Sequence, residues 1–349
     1  MDNSVKTSRD IGIDLLKSIA ILGVIIIHVC SEGYSNPIAS FNWISTVFLG
    51  SLVRGSVPIF LMCSGALLLD PSKEMTIKRL YFRNILRIVL AMFAWSMMYK
   101  VFHLIISGTF GISGLIQSLK EVFLLNQEFH MYYIHIMIIA YVFLPITRVF
   151  IKNATQKELV YALSVWFILG IVYPTVKIYW PFNLLSGIPV QWLINMTYAS
   201  IGYGILGFYI TRYPLSTKCN CLLSVTGFIF VFGLTTYMSV KNGILYERFL
   251  EGMSVGVALL ATGIFGLFYN MKEKMSCKAA ILCTKLSKGS FCIFLVHVFV
   301  IYLFGHFGIG VNDFPCFVSI PLLSALNLFL SYVIYFVISK IPFVNRWLI

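Results

Sequence analysis

Apolar runs of about 20 residues recur along nearly the whole chain, separated by short segments that hold most of its charges. That length matches the thickness of a bilayer, not the period-two pattern of a strand or the one-sided stripe of a surface helix. Ten spans fit, approximately 12 to 30, 43 to 69, 85 to 106, 131 to 150, 158 to 175, 192 to 210, 221 to 238, 250 to 269, 289 to 306 and 321 to 341. The second is longer than the hydrocarbon core needs, and Pro58 within it predicts a tilt or kink beside Arg54 and Ser56. The pattern as a whole predicts an all-α, polytopic integral membrane helix bundle of about ten transmembrane helices. It also predicts a single membrane-embedded domain over 1–349 with no separate soluble domain. Ile349 follows the last span closely, so any second catalytic partner is expected to be a separate polypeptide.

Composition agrees: 59% of the 349 residues are hydrophobic and 11% are charged, against roughly 25% charged in a soluble domain. The formal charge of +13 would raise the question of nucleic acid in a soluble protein. Here the basic residues sit in alternate segments: the N-terminus, 70 to 84, 148 to 157, 211 to 220, 270 to 288 and the C-terminus. That is the positive-inside signature, so both termini are expected in the cytoplasm and no nucleic-acid partner is implied. The eight cysteines lack a CxxC pairing and several lie in apolar runs, which reads as packing, not metal or disulfide chemistry. The first run follows Lys6 and Arg9 as a signal peptide would, yet it contains Asp14 and Lys17 and no A-x-A-like cleavage site. It is read as a retained first helix.

Ionisable side chains inside such runs are costly and mark candidate chemistry. Asp14, Lys17 and His28 lie within or at the edge of the first span. At about 100° per residue, Lys17 and His28 return to within ~20° of the same face, ~16 Å apart along the axis, and Asp14 falls on that face too. The stripe could line a route; its simpler meaning is a snorkelling lysine and an interfacial histidine. Arg54 lies too deep in its span to reach either interface and should face the interior, pairing with Asp14, binding donor phosphates or polarising a carbonyl. Arg79, Arg83 and Arg87 step by four along the approach to the third span, which predicts a cationic stripe on one helix face. Its commoner meaning is topology or lipid-headgroup contact; the alternative is a landing surface for the phosphates of a coenzyme A donor.

Four segments, in order along the chain, carry a resemblance to a known family. They are DLLKSIAILGVIIIH (Asp14 to His28), RGSVPIFLMCSGALLL (Arg54 to Leu69), EFHMYYIHIMIIAYVFLP (Glu128 to Pro145) and SFCIFLVH (Ser290 to His297). The chain resembles the acyltransferase-3 family of membrane O-acyltransferases, and its length and layout resemble the enterobacterial common antigen O-acetyltransferase type. Lys17 stands where the family more often has arginine; it keeps the charge but lacks the five-donor fork. The resemblance implies transfer of an acyl group, usually acetyl from cytoplasmic acetyl-CoA, to a sugar hydroxyl of a surface polysaccharide or its lipid-linked precursor. Acetyl-CoA would then be a donor substrate and no cofactor would be permanently bound. The other expected partners are that glycan acceptor, membrane lipids and glycan assembly proteins, in the bacterial inner membrane.

A hydroxyl that attacks a thioester needs a base near neutral pH, which suits histidine. His28 is the first candidate, as general base or transient acyl carrier. All six histidines fall in mid-span or in the outer halves of the expected spans. His130 and His297 are expected to meet His28 in a shared cavity, with Arg54 completing the catalytic set. His103, His135 and His306 are read as bundle residues. Asp14, Lys17, Arg79, Arg83, Arg87 and Ser290 are the candidates for donor or substrate binding. A transporter or flippase for a glycan or small anion is the main rival, because buried charges also suit a translocation pathway. A third reading is a non-catalytic module that recruits a glycan synthase. No P-loop, dinucleotide fingerprint or metal-ligand spacing supports a nucleotide-driven pump or metalloenzyme.

Overall fold

The computed structural model describes residues 9–185, 187, 194 and 196–349. Its principal helices are α1 (Ile11–Gly33), α2 (Phe41–Leu52), α3 (Ser56–Leu68), α4 (Leu86–Ile106), α5 (Ile112–Phe123), α6 (Tyr132–Val142), α7 (Leu144–Asn153), α8 (Gln156–Trp166), α9 (Met196–Arg212), α10 (Thr217–Asn242), α11 (Val255–Asn270), α12 (Cys277–His306), α13 (Cys316–Ile338) and α14 (Pro342–Trp347). No strand occurs among the described residues. Many helix starts are written locally. Asp10 Oδ1 accepts from the Gly12 and Ile13 amides at 2.9 and 3.2 Å, Thr155 and Glu158 form a capping box on α8, and Ser216, Ser254 and Ser276 cap α10, α11 and α12.

Among the described residues, eight helical segments are long and apolar enough to cross a membrane, and each falls on one of the expected spans. The expected 131–150 span is a broken pair, α6 with its preceding turn and α7, bent by 50°. Pro145 at the second position of α7 explains the bend, since its ring lacks an amide and clashes with the preceding turn. The expected 192–210 span corresponds to α9; 192, 193 and 195 lie outside the described residues. The second span is interrupted at Val53–Gly55, beside Arg54 and Ser56 as expected, and Pro58 sits in the first turn of α3 where a missing amide costs nothing. α12 starts earlier than expected, because the lysine-bearing stretch 277–288, read as loop, continues the helix beyond the apolar run. Part of the expected 107–130 loop is helical too: α5 folds back along α4, with Phe123 against Phe93 and Lys100 Nζ 2.5 Å from Glu121.

α1 is central, packed against α12, α3, α13 and α2, with Leu16, Ala20, Ile21 and Ile25 fully buried. Such a helix must be apolar on every side. α3 and α9 cross backbone to backbone: a Cβ on Gly65 would fall 1.9 Å from the Gly204 carbonyl oxygen, and one on Gly207 2.1 Å from that of Met62. Small residues permit such close crossings in lipid, where dispersion and not water exclusion drives helix association. All eight cysteines are free thiols, and Cys30, Cys63, Cys283, Cys292 and Cys316 are buried, as a packing role requires.

Candidate active site

Three histidines from distant parts of the chain come together. His28 lies in α1, His130 in the 3-10 turn Phe129–Met131 that leads into α6, and His297 in α12. Ring centroids are 5.0 Å apart for His28 and His297, 5.4 Å for His130 and His297, and 6.4 Å for His28 and His130. His130 and His297 are fully buried; His28 is half-buried beside the exposed Phe129, whose ring lies 5.2 Å away. His297 Nδ1 is 2.7 Å from the Phe294 carbonyl, which can only accept, so Nδ1 carries the proton and a neutral ring presents its Nε2 lone pair. That Nε2 and both nitrogens of His130 have no hydrogen-bond partner among the described residues. A buried polar atom left unpaired costs ~1–3 kcal/mol, so three of them in one place call for a functional explanation. No group of His, Cys, Asp or Glu among the described residues is disposed to hold a metal ion.

A cavity of about 920 Å³ enters the bundle from the face that carries the basic segments. Lys17, Arg83, Arg87, Lys288 and Arg346 line it, with no carboxylate among the lining residues. Its wall includes the predicted Ser290, which is buried and whose Oγ donates to the Ser287 carbonyl at 2.9 Å. Phe294 and Tyr133 also line it; their rings lie 5.4 Å apart, and Phe294 is 5.5 Å from the His130 ring. The cavity therefore approaches to within one aromatic ring of the histidines. On the wall, Arg87 Nη2 donates to a main-chain oxygen of Ile349 and Trp95 Nε1 to the Leu348 carbonyl at 2.9 Å, which folds the last residues back onto α4.

Other expected site residues are placed differently. Asp14 does not line the cavity; it is buried, pairs with Arg9 through contacts of 2.5 and 2.8 Å, and accepts from Thr284 Oγ1 at 3.0 Å. Of the three roles considered for Arg54, pairing with Asp14 is absent: Asp14 pairs with Arg9, whereas Val53 and Ser56, on either side of Arg54, pack against Gly23, about 14 Å further along α1. Arg54 occupies the break between α2 and α3, where Nε donates to the Leu250 carbonyl and the Nη groups make no hydrogen bond among the described residues. Arg79 is exposed and outside the cavity, so the three-arginine stripe does not form. A π-helical stretch, Leu80–Ile85, separates Arg79 from the α-helical register of Arg87. Of the remaining histidines, His103 pairs with Glu128 at 2.8 Å, His135 with Gln127 at 3.2 Å, and His306 is exposed. By sequence, Lys288 and Arg346 read as topological charges, and Tyr133 and Phe294 lie within the family segments without being marked as site residues. Only the proximity of Lys288 to the Ser290 motif hints otherwise.

The fold and site define a multi-pass membrane protein whose interior joins a cationic cavity to a buried histidine group. The profile of the acyltransferase-3 family, described as an acyltransferase domain, matches residues 10–339, and the chain belongs to that family. It is thus a membrane acyltransferase. No curated protein and no solved structure gives a significant match.

Proposed function

We propose that the protein transfers an acyl group, acetyl foremost, from acyl-CoA to a sugar hydroxyl of a cell-surface polysaccharide or its lipid-linked precursor. The acceptor class is the one handled by the enterobacterial common antigen O-acetyltransferase type that the layout resembles. The basic face is the cytoplasmic side of a bacterial inner membrane. The observation that carries this reading is the cavity lined by five cationic side chains and no carboxylate, directed at the histidines. Its cations suit the clustered phosphates of coenzyme A, with Arg83 and Arg346 able to contact phosphate oxygens in pairs, Arg87 offering the donors that its bond to Ile349 leaves, and Lys17 and Lys288 acting as point charges. The thioester arm then lies toward Phe294 and Tyr133.

The acceptor oxygen attacks the thioester carbonyl carbon while an imidazole of the group, His28 or His297, takes its proton. Collapse of the tetrahedral adduct breaks the C–S bond, and the same proton passes to the leaving thiolate. Arg54, whose Nη groups make no hydrogen bond among the described residues, would stabilise the oxyanion. Membranes given radiolabelled acetyl-CoA and host glycan should incorporate label into the glycan fraction. His28→Ala and His297→Ala should each abolish this in protein that still inserts. Full incorporation by both variants would refute the site, and glycan translocation without acetylation would favour a flippase.

A further inference from the structure

Two buried polar side chains that lie outside the cavity wall hydrogen-bond to one turn of α12. Tyr99 in α4 is almost fully buried; its Oη donates to the Leu295 carbonyl at 2.8 Å and accepts from the Phe299 amide at 3.0 Å. A carbonyl and the amide four residues later are the two groups that close a helical turn on each other. The phenol thus sits astride one rung of the α12 ladder, and a side chain inserted there sets the local direction of the helix. His297 is the middle residue of that rung. From the other side, fully buried Asn327 of α13 donates Nδ2 to the His297 carbonyl at 2.9 Å, while its Oδ1 accepts from Ser331 Oγ at 3.0 Å. The tyrosine also packs edge-on to His130, with centroids 5.3 Å apart.

Phenylalanine and leucine would fill the same space in a lipid-embedded bundle without polar groups to satisfy. We propose that Tyr99 and Asn327 are positioning residues that clamp the His297 turn from two sides and hold its free Nε2 toward His28. This rests on the acyl-transfer reading of the histidine group. Productive geometry tolerates only about 0.5 Å and 10–20° of error, and misplacement by ~1 Å can cost ~100-fold in rate. The clamp supplies what the ring's single hydrogen bond to Phe294 leaves undetermined, the position of the backbone that carries the ring.

The test uses the full chain in membranes, with acetyl-CoA as donor and host glycan as acceptor. Tyr99→Phe, which keeps the ring, and Asn327→Leu, which keeps the volume, should each lower kcat about 10- to 100-fold. The donor KM should stay within about twofold and the melting temperature should be unchanged. A wild-type kcat in either variant overturns the proposal, as does a loss that tracks a lowered melting temperature or a raised donor KM. Where one variant is not recovered in membranes, the other carries the same expectation and the same refutation. His297→Ala is measured alongside: if it alone keeps full kcat, the acyl-transfer reading of this histidine has failed and the clamp has nothing to position.

Discussion

At the scale of single residues, the cavity separates arginines that the sequence groups together. Arg83 and Arg87 line it, whereas Arg79 faces outward from the far side of a π-helical stretch. Replacing Arg83 or Arg87 by Gln is expected to raise the apparent acyl-CoA KM by about tenfold or more, the loss of one charge-assisted contact. Arg79→Gln should leave it unchanged, and steady-state donor titration in membrane vesicles measures both. Equal effects at all three positions would return the stripe to a topological role. The convergence of His28, His130 and His297 is legible through the ordered family segments; helical periodicity alone aligns Lys17 with His28 and says nothing of partners on other helices. The fate of Arg54 is not legible, because its partner is a backbone carbonyl nearly two hundred residues away and any residue type supplies one. Asp14 escapes a sequence reading for a related reason, since the nearby Arg9 reaches it around the first turn of α1.

Individual elements depend on how closely backbones approach. Gly65 and Gly207 hold α3 against α9, and α3 begins immediately after Arg54 and Gly55. Gly65→Ala would place a methyl 1.9 Å from the Gly204 oxygen, so the helices must part, at a cost of ~1–3 kcal/mol by analogy with overpacked cores. The expected outcome is a lower melting temperature in detergent and reduced transfer. At Gly233 in α10 an added methyl would meet nothing within 4 Å, so Gly233→Ala should melt at or above wild type, since alanine favours the helix by ~1 kcal/mol. Similar melting of the two variants would show that the crossing is looser than described. Span positions are readable because hydrophobic length is imposed by the solvent. The interruption of the second span beside Arg54 and Ser56 is readable too, but the bend before Pro145 is not, since whether a helix bends at, before or well away from a proline depends on neighbours that can satisfy the freed backbone groups.

For the whole molecule, the sidedness of charge visible in the sequence is also the sidedness of the cavity. What loop counting could not show is that Lys288 and Arg346 are brought beside Lys17, Arg83 and Arg87, because that needs the turn of α12 and the fold-back after α13. Phe294 and Tyr133 stand between the inner end of this space and the histidines. Phe294→Ala should make reconstituted vesicles discharge an imposed proton gradient faster than wild type, followed with an entrapped pH dye; unchanged leakage would place the seal elsewhere. Water entering the cavity would carry the electrical boundary of the basic face inward to those two rings. A voltage that falls over the full bilayer elsewhere would then fall over the shorter distance from those rings to the opposite face, at ~2.3 kcal/mol per unit charge per 100 mV. The two rings would then mark the edge of a locally thinned insulator, with the histidine group on its far side.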